Sequence, residues 1–321
     1  MIDFLKIIGE HQRHIERLYL YAQKYFCVNK PQNNNYICFA NGSGRFRMEF
    51  RKVYSEGRMV GFRNVELCFS PHYLFNGDLH NGNDFTPENC INTIVEVLAS
   101  IGILESELSD FRVTGIEFGV NIIVPMAPAV IDGVIYTNRT QFVVPDPMKP
   151  YSKRSLSTKY KQIKVYAKGL QFIDLPEYGI DANTVRLEVK SKEAKYIAKY
   201  GICTATDLLR PESYAALAQA ILEEWDSILL IDRNFDSSHL EQSYCQFIKN
   251  ANKVSFWRGL VKLKHRNIFS ETRKKYRKLL GSRGNIHLQI KTQIIDKLFC
   301  FFQGADSTEK TPLNTGNVLG K

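Results

Sequence analysis

The sequence predicts an α+β protein, an antiparallel sheet domain with helices on one face followed by a mainly helical basic domain. Three observations carry this. Before residue 191, short segments of alternating polarity recur, each bounded by turn formers. Beyond it nearly every segment shows helical periodicity. Positive charge gathers in the helical part and hardly anywhere else.

Taken in order, "MIDFLKIIGEHQRHIERLYLYAQKYF" reads as an amphipathic helix within residues 1–30. The sheet domain, 31–191, is announced by "YICFANG", "RFRMEFRKVY", "GFRNVELCFS", "FRVTGIEFGVNIIV", "QIKVYAK" and "TVRLEVK". Between the third and fourth lies one helix, "TPENCINTIVEVLASIG", with Thr86 as N-cap, Pro87 in the first turn and Gly102 as stop. The region 192–303 holds "SKEAKYIAKYG", "PESYAALAQAILEEWDSILL" and then basic helices to about Phe302. The tail 304–321 is polar, rich in turn formers and expected to be disordered. No internal repeat is visible.

Composition narrows the class. With 321 residues, 44% hydrophobic and 24% charged, the chain is an ordinary globular protein long enough for two domains. No apolar run reaches the roughly 18 residues that span a bilayer, and the N-terminus lacks the uninterrupted apolar stretch of a signal peptide. Seven cysteines without a C-x-x-C pair argue against a disulfide framework and a zinc ribbon. Reduced thiols in a cytoplasm, with no membrane partner, are expected.

The net charge of +10 is local. Between Lys249 and Lys297 there are 14 Lys or Arg against two acids, so the remainder is close to neutral. "TRKKYRK" sets Arg273, Lys274, Lys275, Arg277 and Lys278 around Tyr276, a basic segment with an interleaved aromatic that suits a polyanion. A solvated helix face is the alternative.

Strand periodicity also sorts side chains by face. In "KYKQIKVYAKG", Tyr160, Gln162, Lys164, Tyr166 and Lys168 oppose Ile163, Val165 and Ala167. The phenol of Tyr166 thus lies among cations, which favour a phenolate or a bound phosphate. Glu66, Glu117 and Glu188 each stand near mid-strand, opposite the apolar residues of "VELCF", "IEFGVNIIV" and "VRLEV". If these strands are neighbours, three carboxylates meet beside Tyr166, hard oxygen ligands suited to Mg²⁺ or Mn²⁺. A divalent ion beside a tyrosine nucleophile and cations makes a phosphoryl-transfer site.

From about Asn64 to Leu209 the chain resembles the replication initiation proteins of filamentous bacteriophages, the gene II/X class of rolling-circle nicking proteins. It resembles, more distantly, the trans-acting initiators of small rolling-circle plasmids. "VELCFSPHYLFNGDLHNGNDF" is similar to the family's strand, small-residue turn and asparagine-containing loop. "VTGIEFGVNIIVP" is similar to its strand with one central acid, commonly aspartate and here Glu117. "KVYAKG" is similar to the tyrosine-x-lysine strand that bears the nucleophile, and "VRLEVKSKEAKYIAKYGICTATDLL" is the fullest match.

The resemblance implies a nicking domain in which Tyr166 attacks a scissile phosphodiester of origin DNA. A 5′-phosphotyrosine and a priming 3′-hydroxyl result, and the strand is later rejoined. It implies a metal on Glu117 and Glu188, with Glu66 as third candidate, and electrostatic help from Lys164 and Lys168. Origin DNA, double- and single-stranded, a host helicase and polymerase, and the host bacterial cytoplasm follow as expected partners and place. The sequence departs from the better-known nicking relaxases in having no His-x-His. His72 and His80 are candidates to approach the metal, whereas His11 and His14 sit on a helix where packing is the simpler role. The alternative is a non-catalytic DNA-binding replication or regulatory protein of a phage or plasmid.

Overall fold

A computed structural model describes residues 1–29, 35–156, 158–263, 265–281 and 285–303, so the tail 304–321 lies outside the described residues. The elements are, in order, β1 (Ile2–Gly9), α1 (Gln12–Tyr25), β2 (Cys27–Asn29), β3 (Tyr36–Ala40), β4 (Phe46–Ser55) and β5 (Arg58–Phe69). Two helices follow, α2 (Pro71–Phe75) and α3 (Pro87–Ser100), then β6 (Phe111–Ile123) and α4 (Ala127–Gly133). Next come β7 (Val134–Thr137), β8 (Thr140–Val143), β9 (Ser152–Ser155), β10 (Lys161–Ala167) and β11 (Thr184–Ser191). The chain continues through α5 (Ala194–Ala198), α6 (Pro211–Ser227), β12 (Ile228–Leu230), α7 (Gln242–Ala251), α8 (Val254–Lys262), α9 (Arg266–Leu280) and α10 (Ile286–Phe302).

The protein is α+β, and the twelve strands among the described residues form one sheet in the order β12-β7-β8-β9-β10-β11-β6-β1-β5-β4-β3-β2. Every neighbouring pair is antiparallel. Leu67, Phe118, Val120, Val165 and Leu187 join one hydrophobic cluster with Ile15 and Leu18 of α1, Ile94 of α3, Ile221 of α6 and Ile294 of α10. Burial of these helical stripes against the sheet is what orders both layers. The helix from Pro87 starts as the sequence predicts, with the Thr86 hydroxyl accepting from the Asn89 amide at 3.2 Å.

Three expectations change. Residues 1–30 are not one helix. Residues 2–9 form β1, which is paired on both edges, with β5 and with β6. Ile2, Leu5 and Ile7 are buried completely there, so strand pairing in the middle of the sheet outweighs the helical reading of a segment rich in isoleucine. Second, the switch in composition at residue 191 is not where packing divides. Helices α6 and α10 belong to the sheet's own core, and β12 adds a strand to its edge. A second core forms further on, where Trp257, Phe269 and Tyr276 of α8 and α9 pack on Tyr136 of β7 and Leu229 of β12. Third, β7, β8, β9 and β12, of three or four residues each, extend the sheet beyond the strands visible in the sequence. Among the described residues no helix is long and apolar enough to cross a membrane.

Candidate active site

The register of three adjacent strands assembles the site. Lys164 of β10 pairs with Glu188 of β11, and Tyr166 with Arg186. On the other edge of β11, Glu188 pairs with Gly119, Lys190 with Glu117, and Arg186 with Asn121 of β6. Strand alternation sets all of these on the face opposite the core. Gly119 has a structural reason: a Cβ there would collide with the Leu187 carbonyl of β11.

Lys164 is the hub. Its ammonium lies 2.5 Å from Glu117 Oε2 and 2.8 Å from Glu188 Oε2. Lys190 donates to the other oxygen of Glu117 at 2.5 Å. The Tyr166 hydroxyl is 3.5 Å from Glu188 Oε1, and Arg186 Nε is 3.4 Å from the same oxygen. Lys168 completes the group, its ammonium 5.6 Å from the centre of the Tyr166 ring and 5.1 Å from that of Phe172, while donating to Gln171 at 3.0 Å.

This face is covered, not open. Arg186 donates to the Asn81 carbonyl at 2.8 Å, and Asn121 donates to the carbonyls of Gly82 and Asn83 at 2.9 Å. The asparagine-containing loop after α2 therefore lies across one end of the site. Asp3, at the bulge in β1, accepts from Arg186 at 2.9 Å and from Asn81 at 3.0 Å. Tyr166 is left 8% exposed and Glu188 only 2%, and access narrows to the side of Lys164 and Lys190.

Burial sets the electrostatics. The Tyr166 phenol is pushed well above its ordinary range, first by burial and then by the Glu188 charge. The sequence argument, that flanking cations favour a phenolate, is reversed here because Glu188 faces the hydroxyl and Lys164 is engaged by two carboxylates. Burial lifts Glu188 to about 7 against the pull of Lys164. Burial, then the Arg186 charge, lowers Lys168 to about 7. Asp3 resists its own burial because Arg186 and His72 hold its carboxyl well below the usual range.

The three expected carboxylate ligands do not converge. Glu66 stands on β5, across β1 from β6, and is ion-paired with Lys6. Both oxygens of Glu117 face ammonium groups, and those of Glu188 face Lys164, Arg186 and the Tyr166 hydroxyl. A divalent ion shared by Glu117 and Glu188 would have to displace Lys164. Among the described residues no group of three or more His, Cys, Asp or Glu is arranged to hold a metal ion. In this arrangement the donor set does not fit Mg²⁺ or Mn²⁺. His72 is buried beside Asp3 at 3.4 Å and bonds Asn83 at 2.8 Å, and burial lowers it to about 4. His80 packs against Tyr178, its ring 4.8 Å away. His14 is buried against Asp110 at 2.8 Å, a packing role.

The basic segment of α9 divides in two. Tyr276 is fully buried, so it cannot stack on a base; its hydroxyl accepts from the Asp232 amide at 3.0 Å. Arg273 and Arg277 reach inward, both at 2.5 Å, to the carbonyls of Ser227 and Ile228. Lys274, Lys275 and Lys278 face outward.

Asp3 and the loop carbonyls of Asn81, Gly82 and Asn83 are site components that sequence reasoning did not find. Asp3 lies in a segment whose sequence has the pattern of a helix, and backbone carbonyls leave no trace in residue identity. No protein-family model matches the chain, and no curated protein matches it. Among solved structures it is similar to a rolling circle replication initiator protein from Geobacillus stearothermophilus, at TM-score 0.39 and 12% identity, over 78% of this chain and 96% of that one.

Proposed function

We propose that the protein initiates rolling-circle replication by nicking origin DNA through Tyr166 and later rejoining the strand. The observation that carries this is the Tyr166 hydroxyl 3.5 Å from Glu188, itself lifted to about 7, with Lys164 and Arg186 on the same carboxylate and Lys168 beside the Tyr166 ring. A carboxylate that titrates near neutrality beside a phenol is suited to take its proton as the nucleophile forms. Lys164, Lys168, Arg186 and Lys190 supply the positive charge that a pentavalent phosphorane needs.

In the proposed step the Tyr166 oxygen bonds to phosphorus and the phosphorus–O3′ bond breaks. The phenolic proton passes to Glu188, and the departing 3′ oxygen takes a proton from solvent water and leaves as a hydroxyl. A 5′-phosphotyrosine remains, which stores the phosphodiester so that rejoining needs no nucleotide triphosphate. The loop over the site must yield, or the DNA must enter past Lys164 and Lys190.

The test is incubation with supercoiled DNA of the replicon that encodes the protein. Open circles with a protein-linked end support the proposal, and Tyr166→Phe should lower their yield at least 1,000-fold, about 4 kcal/mol of barrier, while leaving DNA binding intact. Mapping the adduct to Tyr160, which is half exposed at the start of the same strand segment, would overturn the assignment.

A further inference from the structure

We propose that α8 and α9 form a helix–turn–helix unit that reads duplex DNA, with α9 as the helix entering the major groove. This rests on the proposed function, since origin DNA is the duplex it would read. The two helices, of 9 and 15 residues, are joined by only three residues, 263–265. They pack through Trp257 of α8, whose ring lies 5.6 Å from that of Phe269 and 5.8 Å from that of Tyr276 in α9. Arg139, from the turn between β7 and β8, closes the end of α8 by donating to the carbonyls of Val261 and Leu263.

Which face of α9 is free follows from what is already used. Phe269, Tyr276 and Leu280 point into the second core, and Arg273 and Arg277 anchor the helix to the backbone around β12. Asn267, Glu271, Lys274 and Lys278, at i, i+4, i+7 and i+11, form an exposed stripe on the opposite side. The helix is about 22 Å long and fits a major groove about 12 Å wide. Its chemistry is graded along its length. The first turns carry Asn267 and Glu271, groups that pair with adenine and with the cytosine amine; the later turns carry lysines suited to phosphates. A helix of this kind contacts base edges with its N-terminal residues. The neighbouring exposed cations Lys253, Arg258 and Lys262 of the α8 segment add charge complementarity for the flanking backbone.

The inward arginines make this more than a solvated charged face. Long cationic side chains pinned to main-chain carbonyls fix how α9 is turned relative to the sheet, so its outward stripe is presented rigidly. The unit then places an origin duplex on the protein while the chemistry proceeds at the strands.

The experiment is selection of bound duplexes from a random-sequence double-stranded pool by the full chain and by Asn267→Ala and Glu271→Ala. Both residues are exposed, and thermal melting of each variant checks that the fold persists. The expected result is an enriched motif for the parent protein, with each substitution relaxing the preference by about tenfold or more at a distinct position. A parent motif retained unchanged by both variants, or no motif at all, overturns the inference. Formation of the protein–DNA adduct on replicon DNA is scored separately. Its loss with motif selection intact would sink the nicking proposal alone, and the converse would sink this one alone.

Discussion

Arg186 and Asp3 form a buried ion pair, Nη2 to Oδ1 at 2.9 Å, that spans β6 to join β11 to β1. Both side chains are at least nine-tenths buried, and Arg186 also bonds the loop at Asn81. Breaking such a pair leaves a charge stranded where water cannot reach it, at a cost of about 3–5 kcal/mol. Asp3→Asn should therefore lower stability by about that amount in denaturant unfolding. Combining it with Arg186→Met should cost less than the sum of the two single changes. Simple additivity in that double-mutant cycle would mean the pair is not an energetic unit.

The same pair feeds the site's pH response. Glu188 is lifted from 4.5 to about 7, so its stabilising contribution is full below about 4.5 and is lost as pH rises through 7. Lys168 is lowered from 10.5 to about 7, so its contribution is full above 10.5 and is lost as pH falls through 7. The proposed nicking step needs the opposite forms of both, Glu188 ionised and Lys168 protonated. Its rate against pH should be a narrow bell centred near 7, whose limbs belong to the coupled set of groups. Lys168→Arg keeps the cation charged at higher pH and should move the alkaline limb upward. An alkaline limb that stays in place in that variant would remove Lys168 from the profile.

Lys164 occupies the position between carboxylates that a divalent ion would take, 2.5 Å from Glu117 and 2.8 Å from Glu188. Lys164→Met frees two oxygens and removes one positive charge, so Mn²⁺ affinity should rise at least tenfold, about 1.4 kcal/mol. Electron paramagnetic resonance of free Mn²⁺ during titration measures it. Tight Mn²⁺ binding by the unmodified protein, abolished by Glu117→Gln, would show that the ammonium yields to metal. It would also restore the carboxylate pair to the role the sequence suggests.

The site was legible in part, for a physical reason. Period-two alternation in "KVYAK", "RLEVK" and "IEFGVN" fixes which side chains share a face, and the faces of Tyr166, Lys164, Glu117 and Glu188 follow from it. Alternation does not fix the order of strands in the sheet. Glu66 thus reads like the other two glutamates in sequence, yet β1 intervenes and gives it Lys6 as partner. Nor does it say what lies on top of a face. The loop over Arg186 and Asn121 is held by its own carbonyls, and its effect, a buried phenol in place of an exposed one, is invisible in residue identity. The short strands at the β12 edge are too brief for a period to register.

Helical periodicity also sorts the cations of α9. "TRKKYRK" offers five cations, but i, i+4 spacing turns Arg273 and Arg277 to one side, where they meet the carbonyls of Ser227 and Ile228. Burial lowers Arg277 to about 10, with Arg273 adding to the shift. The other three are exposed, Lys274 paired only with the exposed Glu271 and Lys275 over the rings of Tyr244 and Phe247, so phosphates can reach them, and each neutralised phosphate contributes a slope of roughly −0.9 in log K against log salt. Lys274→Gln, Lys275→Gln and Lys278→Gln together should weaken duplex binding and flatten that slope by up to about three units, with the melting temperature unchanged. Arg273→Gln with Arg277→Gln should do the reverse, lowering the melting temperature while leaving the slope of the remaining folded protein close to the parent's. Filter-binding titrations across a salt series, paired with thermal melts, separate the two. If the triple lysine variant keeps the parent slope, the phosphate contacts lie elsewhere, and Lys164 and Lys190, the reachable cations of the sheet face, become the surface to examine.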